Sequence, residues 1–162
     1  GYIHDRDSAL YARDDLADLI LSLDAAWSGE LVVIAHSLGA FLTLEALGRL
    51  RLAGNSAPVI DSLLLIQPDI APDVFEAQIR TAQPLAERSA LITSQGDPVL
   101  RLSARFSGQP ERVGATRDDA RYEALGLTVI DLSNIRDATN LHLIPFSSPT
   151  VLDMLKRISA NG

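Results

Sequence analysis

Apolar and polar positions along this chain fall into two alternating kinds of pattern. From Asp7 to about Leu23 the spacing predicts an amphipathic helix. Asp7 stands at a capping position, and Leu10, Leu16, Ile20 and Leu23 fall near one face, with Asp14, Asp15 and Asp18 mostly elsewhere. Ser28-Gly29-Glu30 breaks that pattern. Leu31 to Ala35 is a short apolar run without alternation, as expected of a strand buried on both faces. Leu38 to about Arg51 reads as a helix, closed by Ala53-Gly54-Asn55. Val59 to Ile66 is a strand, and Pro72 to about Thr81 a helix with proline in its first turn. Ser89 to Ser94 is a strand and Pro98 to about Phe106 a short helix, followed by a polar, arginine-rich stretch from Ser107 to about Tyr122. Leu127 to Leu132 is the last strand, and Pro149 to about Ile158 a closing helix.

Strands alternating with helices predict an α/β fold, a parallel sheet with helices on both faces. Four strands are found, with no internal repeat, linker or second domain, so residues 1–162 are expected to form one domain.

Composition narrows the picture. With 47% hydrophobic and 22% charged residues, the chain is neither disordered nor low-complexity, and its length of 162 residues suffices for a sizeable core. No apolar run approaches the ~18 residues of a membrane span, and a soluble domain is expected. Fourteen basic against 21 acidic residues, a net charge of −7, leave no basic footprint for nucleic acid. Absence of cysteine removes disulfides, thiolate metal sites and a cysteine nucleophile. It leaves the compartment open, with the cytoplasm favoured because no signal-like segment stands at the N-terminus. His4, His36 and His142 are scattered without H-x-x-x-H spacing, so any metal site would be built mostly from carboxylates.

The chemistry concentrates at Ala35-His36-Ser37-Leu38-Gly39-Ala40, between a predicted strand and a predicted helix. This is a G-x-S-x-G nucleophile elbow with Ala35 replacing the first glycine. Small residues at Ala35 and Gly39 are expected to let strand and helix pack tightly around the turn. The turn holds Ser37 in a strained conformation that projects its hydroxyl, and the Leu38 N–H at the helix start supplies half of an oxyanion hole. A tight strand–helix turn that happens to contain serine is the plain alternative.

An elbow serine requires an acid and a base later in the chain. His142 is the one histidine after Ser37, in the loop between the last strand and the final helix. His36 points away from the serine and is expected to pack, and His4 lies near the chain end. For the acid, Asp97 follows a strand in the turn Ser94-Gln95-Gly96-Asp97-Pro98. Asp69 and Asp131 are the alternatives, at the end of an earlier strand and within the last one. Each is otherwise explained as a turn or capping aspartate.

On these residues the sequence resembles the alpha/beta-hydrolase superfamily, and more closely a bacterial family of esterase-like hydrolases whose elbow reads A-H-S-M-G. Tyr2 with Asp5-Arg6-Asp7-Ser8-Ala9 is similar to its Y-x-x-D-x-x-S-A segment. Pro68-Asp69-Ile70, with Asp73 and Phe75, resembles its P-D-I-x-x-D-x-F segment. Asp97 to Ser103 resembles its D-x-A-L-x-x-S acid segment, with Val99 where alanine is usual. Arg112-Val113-Gly114 and Val129-Ile130-Asp131 also have counterparts there.

The resemblance implies an alpha/beta-hydrolase-type sheet of which this chain carries the second half, without the N-terminal strands and the loop giving the second oxyanion N–H. The strand Leu31–Ala35 is then an apolar sheet edge, to be covered by a second copy of the chain or by the N-terminal half.

The function expected is hydrolysis of a small-molecule acyl ester or thioester. Ser37 is the nucleophile, His142 the base and Asp97 its partner, without metal or organic cofactor, and activity falls at acid pH as His142 protonates. Other readings are a hydrolase-fold interaction module without useful catalysis, an acyltransferase using the same triad, and a carboxylate metal site. Arg101, Arg105, Arg112, Arg117 and Arg121 lie where a cap over the site would sit. They are expected to form a solvated face paired with Glu111, Asp118 and Asp119.

Overall fold

A computed structural model describes residues 2–108, 111–135 and 137–160 of the chain. Four parallel strands, β1 (Val32–His36), β2 (Ile60–Ile66), β3 (Ala86–Thr93) and β4 (Thr128–Asp131), lie side by side in chain order. Their register sets Ile34 against Leu64, Leu64 against Ala90, and Ala90 against Thr128. Successive residues point to opposite faces of a strand, so this register sorts the side chains into two layers.

One layer holds Val33, Ala35, Leu63, Leu65 and Leu91 and carries the main core. It is covered by α2 (Arg13–Ala26), α3 (Leu38–Leu52) and α4 (Pro72–Ala82), which supply Ile20, Leu44, Leu47, Phe75 and Ile79. Pro72 begins α4, where its missing N–H costs nothing. The other layer, with Leu64, Ile66, Ile92 and Leu132, packs against Ile144 of α7 (Ile144–Ser147) and Val151 of α8 (Pro149–Ala160).

Three expectations from the apolar pattern need correction. The first helix is two, α1 (Tyr2–Tyr11) and α2, and Asp7 lies inside α1 instead of capping it. The break at Ala12 separates Leu10 from the face of α2, and within α2 Ala17 and Ile20 are buried while Leu23, like Leu10, is exposed. His4 falls within α1, and its side chain lies outside those described.

The strand at Leu31–Ala35 is not buried on both faces: Val32 and Ile34 remain 39% and 50% exposed. It stands at the edge of the four-stranded sheet, and α7 and α8 pack mainly over the later strands, with Phe146 of α7 meeting β1 at its last residue, His36. An apolar run therefore marked the strand, but burial of its second face depends on neighbours that the run itself does not specify.

The arginine-rich stretch is a solvated face only in part: Arg101, Arg105, Arg117 and Arg121 are exposed. After α5 (Pro98–Ser107) it forms a 3-10 turn at Val113–Ala115 and the short α6 (Asp119–Glu123), burying Val113 and Tyr122 in the core. Arg112 is itself buried, paired with Asp69 (Nε–Oδ1 2.9 Å), and Arg121 pairs with Glu76 at the surface. Gly114 is pressed so closely on the chain that a Cβ there would stand 2.3 Å from the carbonyl carbon of Gln67.

Candidate active site

All four strands deliver polar residues to their C-terminal ends, the edge of a parallel sheet where ligands are bound. Ser37 directly follows β1 and precedes α3, with φ 54° and ψ −122°. A serine with positive φ is held there at a cost of order 1–3 kcal/mol, which the surroundings must enforce. They do so through the backbone: Ser37 N–H donates to Ile66 O (2.9 Å), and Ser37 O accepts from Asp69 N–H and Ala40 N–H (both 3.2 Å). Ala35 is buried in the core, as a tight elbow needs. Gly39 differs from expectation, because a Cβ built on it meets no atom within 4 Å. The turn owes its shape to those backbone bonds and not to crowding at Gly39. Leu38 opens α3, so its N–H has no intrahelical acceptor and faces the helix N-terminus.

Asp97 caps α5. Its Oδ1 accepts from the N–H groups of Val99 (2.8 Å) and Leu100 (3.2 Å), a usual role for an aspartate before Pro98. The other oxygen, Oδ2, accepts from His142 Nδ1 (2.6 Å) and Gln67 Nε2 (2.7 Å). Its side chain is fully buried while that of His142 is 14% exposed, so the carboxylate lies beneath the imidazole. An ionised carboxylate only accepts, so Nδ1 carries the proton and Nε2 of the neutral ring keeps its lone pair.

The loop holding His142 is itself tied down. Asn140 Oδ1 accepts from His142 N–H (2.9 Å). At the loop's far end the Asp137 carboxylate takes Ser148 Oγ (2.5 Å) and Thr150 Oγ1 (2.7 Å), bonds that hold its pKa below the usual carboxylate value.

Among the three aspartates considered, the structure pairs Asp97 with His142. Asp69 is buried between Arg112 and Ser103, whose Oγ reaches both carboxylate oxygens at 2.7 Å, and burial raises its pKa. Asp131 is exposed at the end of β4 and accepts from Ser133 N–H (2.8 Å). No hydrogen bond joins Ser37 Oγ to His142 among the described residues. His142 meets instead the residue before Ser37: the His36 ring lies 4.6 Å from that of His142 and edge-on to Phe146. Sequence reasoning assigned His36 to packing and missed that its Nε2 bonds His142 O (2.8 Å).

Gln67 was missed altogether. It is fully buried with φ 42°, and its Nε2 meets both Asp97 Oδ2 and Leu141 O (2.8 Å). Both partners are acceptors, so the amide nitrogen must face them. A polar residue ending the run Leu63-Leu64-Leu65-Ile66 was the available signal.

Burial lowers the pKa of His36 below the ordinary histidine value, against the opposing effect of its bond to His142 O. The native state then binds fewer protons here than the unfolded chain. Stability present above the ordinary value is lost as pH falls through it toward the lowered native one. The urea midpoint should drop between about pH 7.5 and 5.5, and His36→Phe should flatten that slope. An unchanged slope in the variant would refute the assignment to His36.

A cleft of about 390 Å³ lies beside this site, between α5 and α6, lined by Arg101, Arg112, Arg117 and Arg121 with Glu111 and Asp118; it contains neither Ser37 nor His142. Among the described residues no group of three histidines or carboxylates could hold a metal ion, and no helix is long and apolar enough to cross a membrane.

A protein-family model described as "Alpha/beta hydrolase of unknown function" matches residues 1–159, nearly the whole chain. No curated protein and no solved structure matches it.

Proposed function

We propose that this chain, which belongs to that family of alpha/beta hydrolases, is a serine hydrolase of acyl esters or thioesters. The family supports hydrolysis in general; the serine mechanism and the acyl substrate are our reading. The observation that carries it is the buried Asp97 carboxylate 2.6 Å from His142 Nδ1, in a loop bonded to the residue preceding a strained Ser37.

In this reading Ser37 Oγ attacks the acyl carbonyl while His142 Nε2 accepts the hydroxyl proton. Negative charge gathers on the former carbonyl oxygen, where the Leu38 N–H and the N-terminus of α3 stabilise it. The imidazolium formed at His142 is stabilised by Asp97. Collapse of the intermediate breaks the bond to the alcohol or thiol, which leaves with the proton returned by His142 Nε2. Water then attacks the acyl-serine by the same route and releases the acid.

The test is covalent. A fluorophosphonate probe should label the protein, and Ser37→Ala should abolish labelling without shifting the thermal midpoint by more than a few degrees. Absence of labelling in the wild-type chain would overturn this reading and favour a hydrolase-fold interaction module.

A further inference from the structure

Two consecutive carbonyls in the loop bearing His142 are each held by a side chain that borders the elbow. Leu141 O accepts from Gln67 Nε2 and His142 O from His36 Nε2, both at 2.8 Å. Gln67 sits just past the end of β2, and His36 closes β1 next to Ser37. The second hydrogen of the Gln67 amide goes to Asp97 Oδ2. One amide thus joins the base loop to the carboxylate, and one imidazole joins the same loop to the elbow.

We propose that Gln67 and His36 are positioning residues, forming a two-point clamp that seats His142 between Ser37 and Asp97. The proposal rests on the reading of those three residues as a triad. Both contacts involve backbone carbonyls one residue apart, so they oppose rotation of the loop as well as its translation. Either bond alone would leave the loop a hinge.

The strained backbone of Gln67 fits this role. Such a conformation persists only where the surroundings over-determine it. Here Gln67 N–H donates to Ile92 O (2.7 Å), and Gly114 is packed against the Gln67 Cα and carbonyl carbon with no room for a Cβ. The backbone that carries the amide is consequently fixed by the β2–β3 pairing and by the segment after α5. His36 holds its end through a ring half buried against Phe146 and His142.

Loosening such a clamp displaces the base without removing any reacting group, and displacements near 1 Å reduce rates by about 100-fold. Labelling of Ser37 by the fluorophosphonate should slow by about 10- to 100-fold in Gln67→Met and in His36→Phe. His36→Gln, which keeps an N–H donor for the carbonyl, should label within about threefold of wild type. In proton NMR the downfield resonance of the His142 Nδ1–H bonded to Asp97 should be lost or shifted in Gln67→Met and His36→Phe and retained in His36→Gln. A merely structural role would not predict that rescue.

Wild-type labelling rates in both Gln67→Met and His36→Phe, with Ser37→Ala unlabelled, would overturn the clamp and leave the triad standing. No labelling of the wild type would overturn the triad reading instead, and the NMR resonance alone then decides the clamp. Should Gln67→Met fail to fold, the His36→Phe and His36→Gln pair decides the outcome.

Discussion

Asp97→Asn is expected to slow acylation of Ser37 by about 10,000-fold while leaving the fold in place. The size follows from what each oxygen of Asp97 does. Oδ1 caps α5 through Val99 and Leu100, and Oδ2 receives hydrogens from both His142 Nδ1 and Gln67 Nε2. Asparagine is as good a cap as aspartate, so its oxygen would stay at the helix and its NH2 would take the place of Oδ2. That puts a donor against two donors. His142 can resolve the clash by moving its proton to Nε2, but Nε2 then has no lone pair for the serine proton. The measurement is the second-order rate of fluorophosphonate labelling, with the thermal midpoint as control for folding. A rate within about tenfold of wild type would remove Asp97 from the mechanism.

The second large effect concerns stability. Arg112 and Asp69 form an ion pair whose side chains are only 3% and 7% exposed, with Nε and Oδ1 2.9 Å apart. The guanidinium also bonds Ser103 O and Ser107 Oγ. Arg112→Met would fill much of the volume but leave a buried carboxylate with only Ser103 for company. Removing one partner of a buried pair typically costs about 3–5 kcal/mol, a large share of the 5–15 kcal/mol that stabilises an ordinary domain.

The loss should depend on pH in a definite direction. Burial already pushes the Asp69 pKa up, and the Arg112 charge opposes that rise. Without Arg112 the native carboxyl holds its proton to higher pH than the unfolded one, so the variant loses stability as pH rises through that interval. Urea unfolding should therefore show a smaller difference from wild type at about pH 5 than at about pH 7. A difference below about 1 kcal/mol at neutral pH would mean that the buried pair contributes no more than a surface one.

Much of this arrangement was readable before any coordinates. Short apolar stretches such as Leu31–Ala35 and Leu63–Ile66, bounded by turn residues, marked the strands, because a strand inside a parallel sheet buries most of its side chains. The elbow was readable because one short segment must satisfy several local demands at once: a small residue before the turn, a serine within it, and a helix start after it. The turn at Asp97 was readable for a similar reason, since aspartate before proline is a helix-capping signal whatever else it does.

Other features were not legible, and each depends on residues distant in sequence. His36 is expected to pack because a neighbour of Ser37 is directed elsewhere; it packs on Phe146 and His142 and in addition bonds a carbonyl 106 positions later. Gln67 carries only a weak local signature, a polar residue closing the run Leu63–Ile66. Arg112 has the local sequence signature of one more surface arginine, yet its partner Asp69 lies beyond α4, β3 and α5.

By itself, then, the sequence determined the order and type of the main elements and the placing of Ser37, Asp97 and His142 in the segments that follow three of the strands, since periodicity, turn chemistry and capping act within a few residues. Only the tertiary structure decided which aspartate meets His142, that Val32 and Ile34 stay exposed, and that Gln67 and His36 grip the loop of the base. Those outcomes depend on strand register and on directional hydrogen bonds between segments 30 to 106 residues apart, where a difference of one position turns a side chain to the other face of the sheet.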